Sequence, residues 1–371
     1  MRDENEGIDD ELKYYSATQW QLMWLKFKRH KLAIAGSITL AFFYLLGLFS
    51  GFLSPHHPFK RYTPYIYAQP QRIHFIDEEG RFHLRPFVYG IKRTIDMKSL
   101  RRLYSEDKTV KYPIQFFHRS HKYKFWNLFE TDIHLFGVEE PGVIFLFGTD
   151  KLGRDMLARL LSASRISLSV GLIGVALSFV LGCALGGISG YFGGTPDLII
   201  QRLIEFLISI PTIPLWMALS AALPRQWSSL RIYFFITLIL SIVAWSGLAR
   251  VVRGKLISVR NEDFVLAARL NGVGNVQIIT RHLLPSFFSY LIVNLTISIP
   301  NMILGETALS FLGLGLRPPV VSWGVLLQEA QNVRTLAVNP WLLIPGLFVI
   351  IVVLAFNFMG DGMRDAADPY K

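Results

Sequence analysis

Six stretches of this 371-residue chain run for roughly the 20 residues that a helix needs to cross a bilayer, with few or no charged side chains. They span approximately Leu32–Ser54, Ile166–Gly193, Leu203–Leu223, Ile232–Ala249, Phe287–Gly305 and Trp341–Gly360. Helices buried in a large soluble core would carry a charged face on at least some of them, yet Leu32–Ser54 and Ile166–Gly193 carry no charge. The apolar share of 51 % points the same way. The pattern predicts an all-α integral membrane protein with six transmembrane helices. The first stretch follows about thirty polar residues and ends in Leu53-Ser54-Pro55 without a small-residue cleavage signal, so it reads as a retained anchor. The lone Cys183 lies inside the second stretch, where packing explains it better than metal binding, and it permits no intramolecular disulfide.

A net charge of +11 raises nucleic acid as a partner, but the basic residues are placed to orient a membrane protein. Lys26, Lys28, Arg29 and Lys31 precede the first span, and Arg250, Arg253, Lys255, Arg260, Arg269 and Arg281 lie between the fourth and fifth. Lys and Arg mark cytoplasmic segments, and six spans put these two on one side, with both termini. The basic segment from Pro55 to Arg165 is then external; long loops escape the charge rule.

Between the spans the chain divides into a cytoplasmic segment 1–31, the first span 32–54, an external insert 55–147 and a core 148–371 with a cytoplasmic connection 250–286. Residues 1–31 open with acids from Asp3 to Glu11. Trp20, Met23, Trp24 and Phe27 then recur at helical spacing beside lysines, as in a helix lying on the membrane surface. In the insert, Arg72–Asp77 and Arg81–Arg85 alternate around the acidic turn Asp77-Glu-Glu-Gly80 and predict a hairpin. The aromatics Phe116, Phe117, Tyr123, Phe125, Trp126 and Phe129 are numerous enough to fold a small domain. Its histidines, His56, His57, His118 and His121 among them, complete no metal-ligand spacing. In the connection, Asn261 is a candidate N-cap, Glu262 to Leu270 favour helix, and Asn271-Gly272 is a stop; a second helical run from Val276 to Leu284 ends at Pro285. A short helix, a glycine turn and a second helix make a rigid knob with small residues, Ala267 and Ala268, that let a partner approach.

Chemistry of its own is not legible in the chain. Arg253-Gly254-Lys255-Leu256 lacks the glycine spacing and the Ser or Thr of a phosphate loop, and Gly272-Val-Gly274 lacks the third glycine of a dinucleotide site. H-E-x-x-H, C-x-x-C and G-x-S-x-G are missing. An ATP-independent channel or secondary transporter is the rival class, but it predicts ionisable groups within the spans, and only Arg202 and Glu205 at the start of the third and Glu306 just past the fifth come near. Gly182, Gly186, Gly187 and Gly190 give the second span small residues at near one-turn spacing, which permits close helix packing.

The segment Glu262-Asp-Phe-Val-Leu-Ala-Ala-Arg-Leu-Asn-Gly272, followed by Ile278-Ile279 and Arg281-His-Leu-Leu-Pro285, resembles the Glu-Ala-Ala loop of binding-protein-dependent ABC importer permeases. More narrowly, the chain is similar to the C-type permease subunit of dipeptide and oligopeptide importers. Three further segments carry that likeness: Gly148-Thr-Asp-Lys-Leu-Gly-Arg-Asp155 with Arg159; Gly305-Glu-Thr-Ala-Leu-Ser-Phe-Leu-Gly-Leu-Gly315 with Ser322-Trp-Gly324; and Asn357-Phe-Met-Gly-Asp-Gly-Met-Arg-Asp365 with Asp368-Pro369. Asp263 stands where the broad loop pattern has Ala, and Asn271 where a small or apolar residue is frequent.

The resemblance implies the type I permease fold of such importers in a bacterial inner membrane, with an enlarged external loop between the first two helices. It implies four kinds of partner: a homologous second permease, two cytoplasmic ABC ATPase subunits that hold ATP and magnesium, an extracytoplasmic solute-binding protein, and the bilayer. No nucleic acid, and no cofactor or metal in this chain, is expected. Glu262, Asp263, Ala267, Ala268, Gly272, Arg281 and Pro285 are the expected ATPase-coupling residues. The shared pathway would be lined by small and polar residues, for which Ser209, Ser241, Asn294 and Ser298 are candidates; helix–helix hydrogen bonding is their alternative role. The motifs concern coupling and architecture, so cargo identity is not legible in them.

Overall fold

The computed structural model describes residues 19–97, 101–125, 128–224 and 226–367. The acidic start Asp3–Glu11, Trp126 and the Asp368-Pro369 motif lie outside the described residues. The chain is mostly helical. Among the described residues five helices are long and apolar enough to cross a membrane. They are α2 (Lys31–Leu48), α3 (Met156–Phe192), α6 (Ser229–Val259), α8 (Phe288–Phe311) and α9 (Ile344–Ala367), the last entered through a 3-10 turn at Pro340–Leu343. The expected third span is instead two helices, α4 (Gly194–Ser209) and α5 (Thr212–Ala221), bent by 89°. Pro211 is the cause: it removes an amide donor and pushes the preceding Ile210 into extended backbone, with ψ at 129°.

Helix α1 (Gln19–Arg29) precedes the first span and packs on α9. Met23 is buried while Trp24 stays exposed, stacked on Phe27 and under the Lys28 ammonium. Strands occur between residues 74 and 137: the expected hairpin around Asp77–Gly80 is there, and three further strands, which the all-α expectation lacked, follow it. β1 (His74–Ile76), β2 (Phe82–Asp96) and β3 (Arg101–Pro113) form an antiparallel sheet, and β4 (Gln115–Phe125) pairs with β5 (Phe129–Gly137) as a separate hairpin. The β1–β2 turn is fixed by Asp77, whose Oδ1 accepts the amides of Glu79 and Arg81 at 3.0 and 2.9 Å, and by Gly80 at φ 76°. Val88, Ile114, Val138 and Ile144 form the insert's core.

The most extensive helix contact is α3 on α6. It is a glycine seam. Gly182, Gly186 and Gly190 recur every fourth residue and so share one face of α3. A Cβ at Gly186 would stand 2.5 Å from the Ala249 carbonyl oxygen and 2.9 Å from its Cα. At Gly182 it would meet Leu248 at 2.8 Å, and at Gly190 the Arg253 carbonyl at 2.9 Å. Backbone lies on backbone, which a side chain at position 186 cannot permit.

Gly186→Ala should therefore separate the two helices and lower stability by about 1–3 kcal/mol, the usual penalty of overpacking. Gly254→Ala on α6, where a Cβ meets nothing within 4 Å, should leave the melting temperature equal or slightly higher. Thermal melting of the two purified variants in one detergent checks the contrast; equal melting would rule out the seam.

Candidate functional site

Helix α6 continues past its apolar part and ends at Val259, carrying Arg250, Arg253 and Lys255. A short helix α7 (Asp263–Leu270) follows. Its N-cap is Glu262, not Asn261, which lies one residue outside; the Glu262 carbonyl accepts the amides of Val265 and Leu266. Asp263 in the first turn and Arg269 in the last complement the helix dipole. Asn271 closes the helix, its Nδ2 donating to the Ala267 carbonyl at 2.9 Å. Gly272 then takes φ 74°, while a Cβ there would meet nothing within 4 Å. Glycine is required by the backbone and not by crowding inside this chain.

The second run begins at Asn275 and widens into a π turn over Ile278–Leu283, with the Leu284 amide reaching the Ile279 carbonyl. The expected stop at Pro285 is not a stop: Leu284–Ser286 remain helical. A wider turn relieves the clash that a proline ring makes with the carbonyl four residues back.

Inward, Val265 and Ala268 of α7 pack with Val252, Leu256, Ile278 and Leu283 in one buried cluster that reaches Tyr191 and Cys183 of α3. The Tyr191 hydroxyl donates to Asn275 Oδ1 at 3.0 Å, and the Arg269 guanidinium lies 5.0 Å above the Tyr191 ring. Arg253 grips Asp197 through two nitrogens at 2.6 and 2.7 Å. Outward, Phe264, Leu266, Leu270 and Val276 are exposed, Leu270 by 89 %. Glu262, Asp263, Ala267, Gly272, Arg281 and Pro285 share that exposure; Ala268 does not. The sequence pair Ala267-Ala268 thus splits between the two faces. The result is a knob, rigid beneath and apolar on top.

Higher on the same helices a cavity of about 310 Å³ opens between α3, α6 and α8. Phe179, Gly247, Leu248, Asn294 and Ser298 line it, and no charged residue does. Ser298 donates to the Asn294 carbonyl at 2.7 Å, whereas the Asn294 carboxamide has no partner among the described residues. Asn294 and Ser298 are brought together here. Ser241 is not: fully buried, it donates to the carbonyls of Gly174 and Thr237, the helix–helix role. Ser209 sits outside the cavity at the α4 bend and bonds Phe206.

Two buried polar clusters join residues that the sequence reading names only separately, if at all. Glu306 is inside α8 and wholly buried, not past the span's end, because α8 runs on to Phe311. Ser310 and Ser167 donate to its two oxygens at 2.6 and 3.3 Å. Each of these hydroxyls also accepts a backbone amide, from Leu316 and Trp323 respectively, which leaves its proton for the carboxylate. At the start of α3, Asp150 accepts the amides of Leu152 and Arg154 through Oδ1 and the guanidinium groups of Arg154 and Arg159 through Oδ2. Glu329 Oε1 stands 3.3 Å from both arginines. A Gly-Thr-Asp…Gly-Arg-Asp string names these residues, but only the fold shows that Glu329, 170 positions away from Arg159, completes them.

Comparison with known proteins matches residues 145–370 to the family described as binding-protein-dependent transport system inner membrane component. Residues 18–70 match the N-terminal TM domain of oligopeptide transport permease C. The oligopeptide transport system permease protein OppC of Haemophilus influenzae is 42 % identical over 224 residues, 60 % of this chain and 70 % of its own. The dipeptide transport system permease protein DppC of Bacillus subtilis is 36 % identical over 231 residues, 62 % and 70 % of the two chains. Among solved structures, an inward-facing form of the MetNI methionine ABC transporter aligns at 21 % identity and TM-score 0.44, covering 57 % of this chain and 98 % of that one.

The buried arginines generate a stability prediction. Asp150→Asn leaves two guanidinium groups facing one carboxylate and should cost about 3 kcal/mol or more, as removal of one member of a buried ion group does. Glu329→Gln, which alters only the longer contacts, should cost less. Melting of both variants in detergent gives the order; the reverse order would show that Glu329 anchors the group.

Proposed function

The chain belongs to the family of binding-protein-dependent transport system inner membrane components, and on that premise we propose that it is the C-type permease subunit of an ATP-driven peptide importer. With a second, homologous permease it forms the transmembrane pathway, α4–α5 serving as a broken third span to make six. Its insert stands outside the cell, where it covers the pathway mouth or meets the solute-binding protein that delivers cargo. Its termini and the α7 knob face the cytoplasm, and ATP and magnesium bind separate ATPase subunits.

The observation that carries this reading is the two-sided α7. Phe264, Leu266 and Leu270 form an exposed apolar patch, of the kind that marks a protein contact. Val265 and Ala268 lock the same helix to α6. Helix α6 is unbroken over 31 residues, roughly 45 Å, and lines the cavity through Gly247 and Leu248 before it reaches α7 through Val252 and Leu256. A partner that moves the knob therefore moves the cavity wall. ATPase closure, favouring one of two arrangements by its differential contacts, opens the pathway outward; hydrolysis releases it. An uncharged cavity suits passage of varied peptides, because no fixed charge in it selects among their side chains.

Gly272→Val should strain the left-handed turn by about 1 kcal/mol or more and reorient α7. Leu270→Asp should leave the fold intact but place a charge in the contact. Both variants should reach the membrane at normal levels, while recovery of the ATPase with the permease and uptake of a labelled peptide fall together. Glu262→Ala should be milder, since its side chain makes no cap bond. Normal ATPase recovery in the Leu270 variant would refute the docking assignment.

A further inference from the structure

The short helix Ser50–Leu53 that follows α2, the start of α3 and strand β4 line a second cavity, of about 180 Å³, at the edge of the apolar spans. Its depth is fixed by packing. A Cβ on Gly47, in the last turn of α2, would lie 3.2 Å from the Arg165 amide nitrogen, so Arg165 is level with the end of that span. The charged groups that line the cavity are Arg165 and Lys124, joined by the imidazoles of His57 and His121, and no acidic residue lines it. Neither Arg165 nor Lys124 makes an ion pair or side-chain hydrogen bond with any described residue. Glu130 is opposite Lys124 in the strand register, yet the two form no ion pair.

The walls are held in place. His134, buried on β5, has Nδ1 3.0 Å from the Gly51 carbonyl of the helix Ser50–Leu53 and Nε2 3.0 Å from the His121 carbonyl of β4. It stacks on the His121 ring at 4.3 Å. His57 accepts the Phe59 amide through Nδ1, which leaves Nε2–H to donate. His121 is pushed down to about 3 by burial and then by the positive potential of His134, His57, His56 and Lys60. On the same hairpin, Phe116, Phe117, Leu128 and Phe129 are exposed, each by more than half, and Phe117 lies 6.3 Å from Phe52 of the helix Ser50–Leu53. Aromatic side chains exposed at the end of a span suit the bilayer interface.

We infer that this cavity binds a phosphate group at the membrane surface, with Arg165 and Lys124 as its charged donors and an anionic phospholipid headgroup as its source. A guanidinium at the span's end and an ammonium on the hairpin meet the phosphate from two sides, with charge-assisted hydrogen bonds, in the external leaflet where the insert stands. The acyl chains of that lipid then run down the α2–α3 face, and the bound headgroup ties the hairpin to the bilayer.

Native mass spectrometry of the delipidated full complex, titrated in detergent with phosphatidylglycerol or with inorganic phosphate, tests this. One phosphatidylglycerol per chain should resist removal. Lys124→Gln with Arg165→Gln should weaken its retention about tenfold or more, the effect of losing two charge-assisted contacts. Lys124→Gln alone, on a strand and outside helix packing, should weaken it severalfold, and Lys92→Gln, outside the cavity, should leave it unchanged. If inorganic phosphate binds without lipid and both cavity variants abolish that binding, the site stands and free phosphate is its source. Equal retention of both probes by the wild type and the cavity variants, or equal loss in the Lys92 variant, overturns the assignment.

Discussion

The contact of α3 with α6 is the constraint on which the rest depends. In a bilayer, lipid tails are as apolar as leucine, so helices associate through close packing and hydrogen bonds and not through burial from water. Three glycines on one face of α3 bring the α6 backbone against it over two turns. The same stretch of α6 serves both neighbours, Leu248 lining the cavity and Val252 and Leu256 packing under the α7 knob, on one rigid helix. Movement at one end has no slack in which to be lost.

Polar groups hold the other end of the bundle. Glu306 links α8 to α3 through hydroxyls and, through those hydroxyls, to the amides of Leu316 and Trp323. Asp150, Arg154, Arg159 and Glu329 join the start of α3 to the segment after Trp323. Removing one partner from such a cluster costs far more than the cluster contributes over an apolar core, which makes these residues specifiers of arrangement. The cavity between these polar clusters and the knob has no charged residue in its lining.

What the sequence made legible was whatever follows from local pattern. Apolar run length placed the spans, and four-residue glycine spacing marked the seam. The Asn271-Gly272 stop and the acidic turn at Asp77 were also readable, because short-range backbone chemistry fixes both. The bend at Pro211 was missed since composition alone continues across it. Glu306 was placed outside its span because the counting of apolar residues stops at a charge, while three-dimensional packing supplied the hydroxyls that let it stay inside. Glu329 and the division of Ala267 from Ala268 required contacts between distant segments. Ser241 and Asn294 look alike in sequence as small polar residues; only their neighbours separate a helix-packing hydroxyl from a cavity-facing amide.

The central claim is that nucleotide-driven movement of the knob changes access to the cavity through α6. The chain has one cysteine, buried Cys183, so Asn294→Cys in a Cys183→Ala background places a single reporter in the cavity. Its labelling by membrane-impermeant thiol reagents from each side, in vesicles holding the assembled transporter with and without a non-hydrolysable ATP analogue, measures that access. The account predicts labelling from the cytoplasmic side without nucleotide, labelling from the external side with it, and loss of the switch when Leu270→Asp is added. Labelling that ignores nucleotide, or a switch that survives Leu270→Asp, would contradict it.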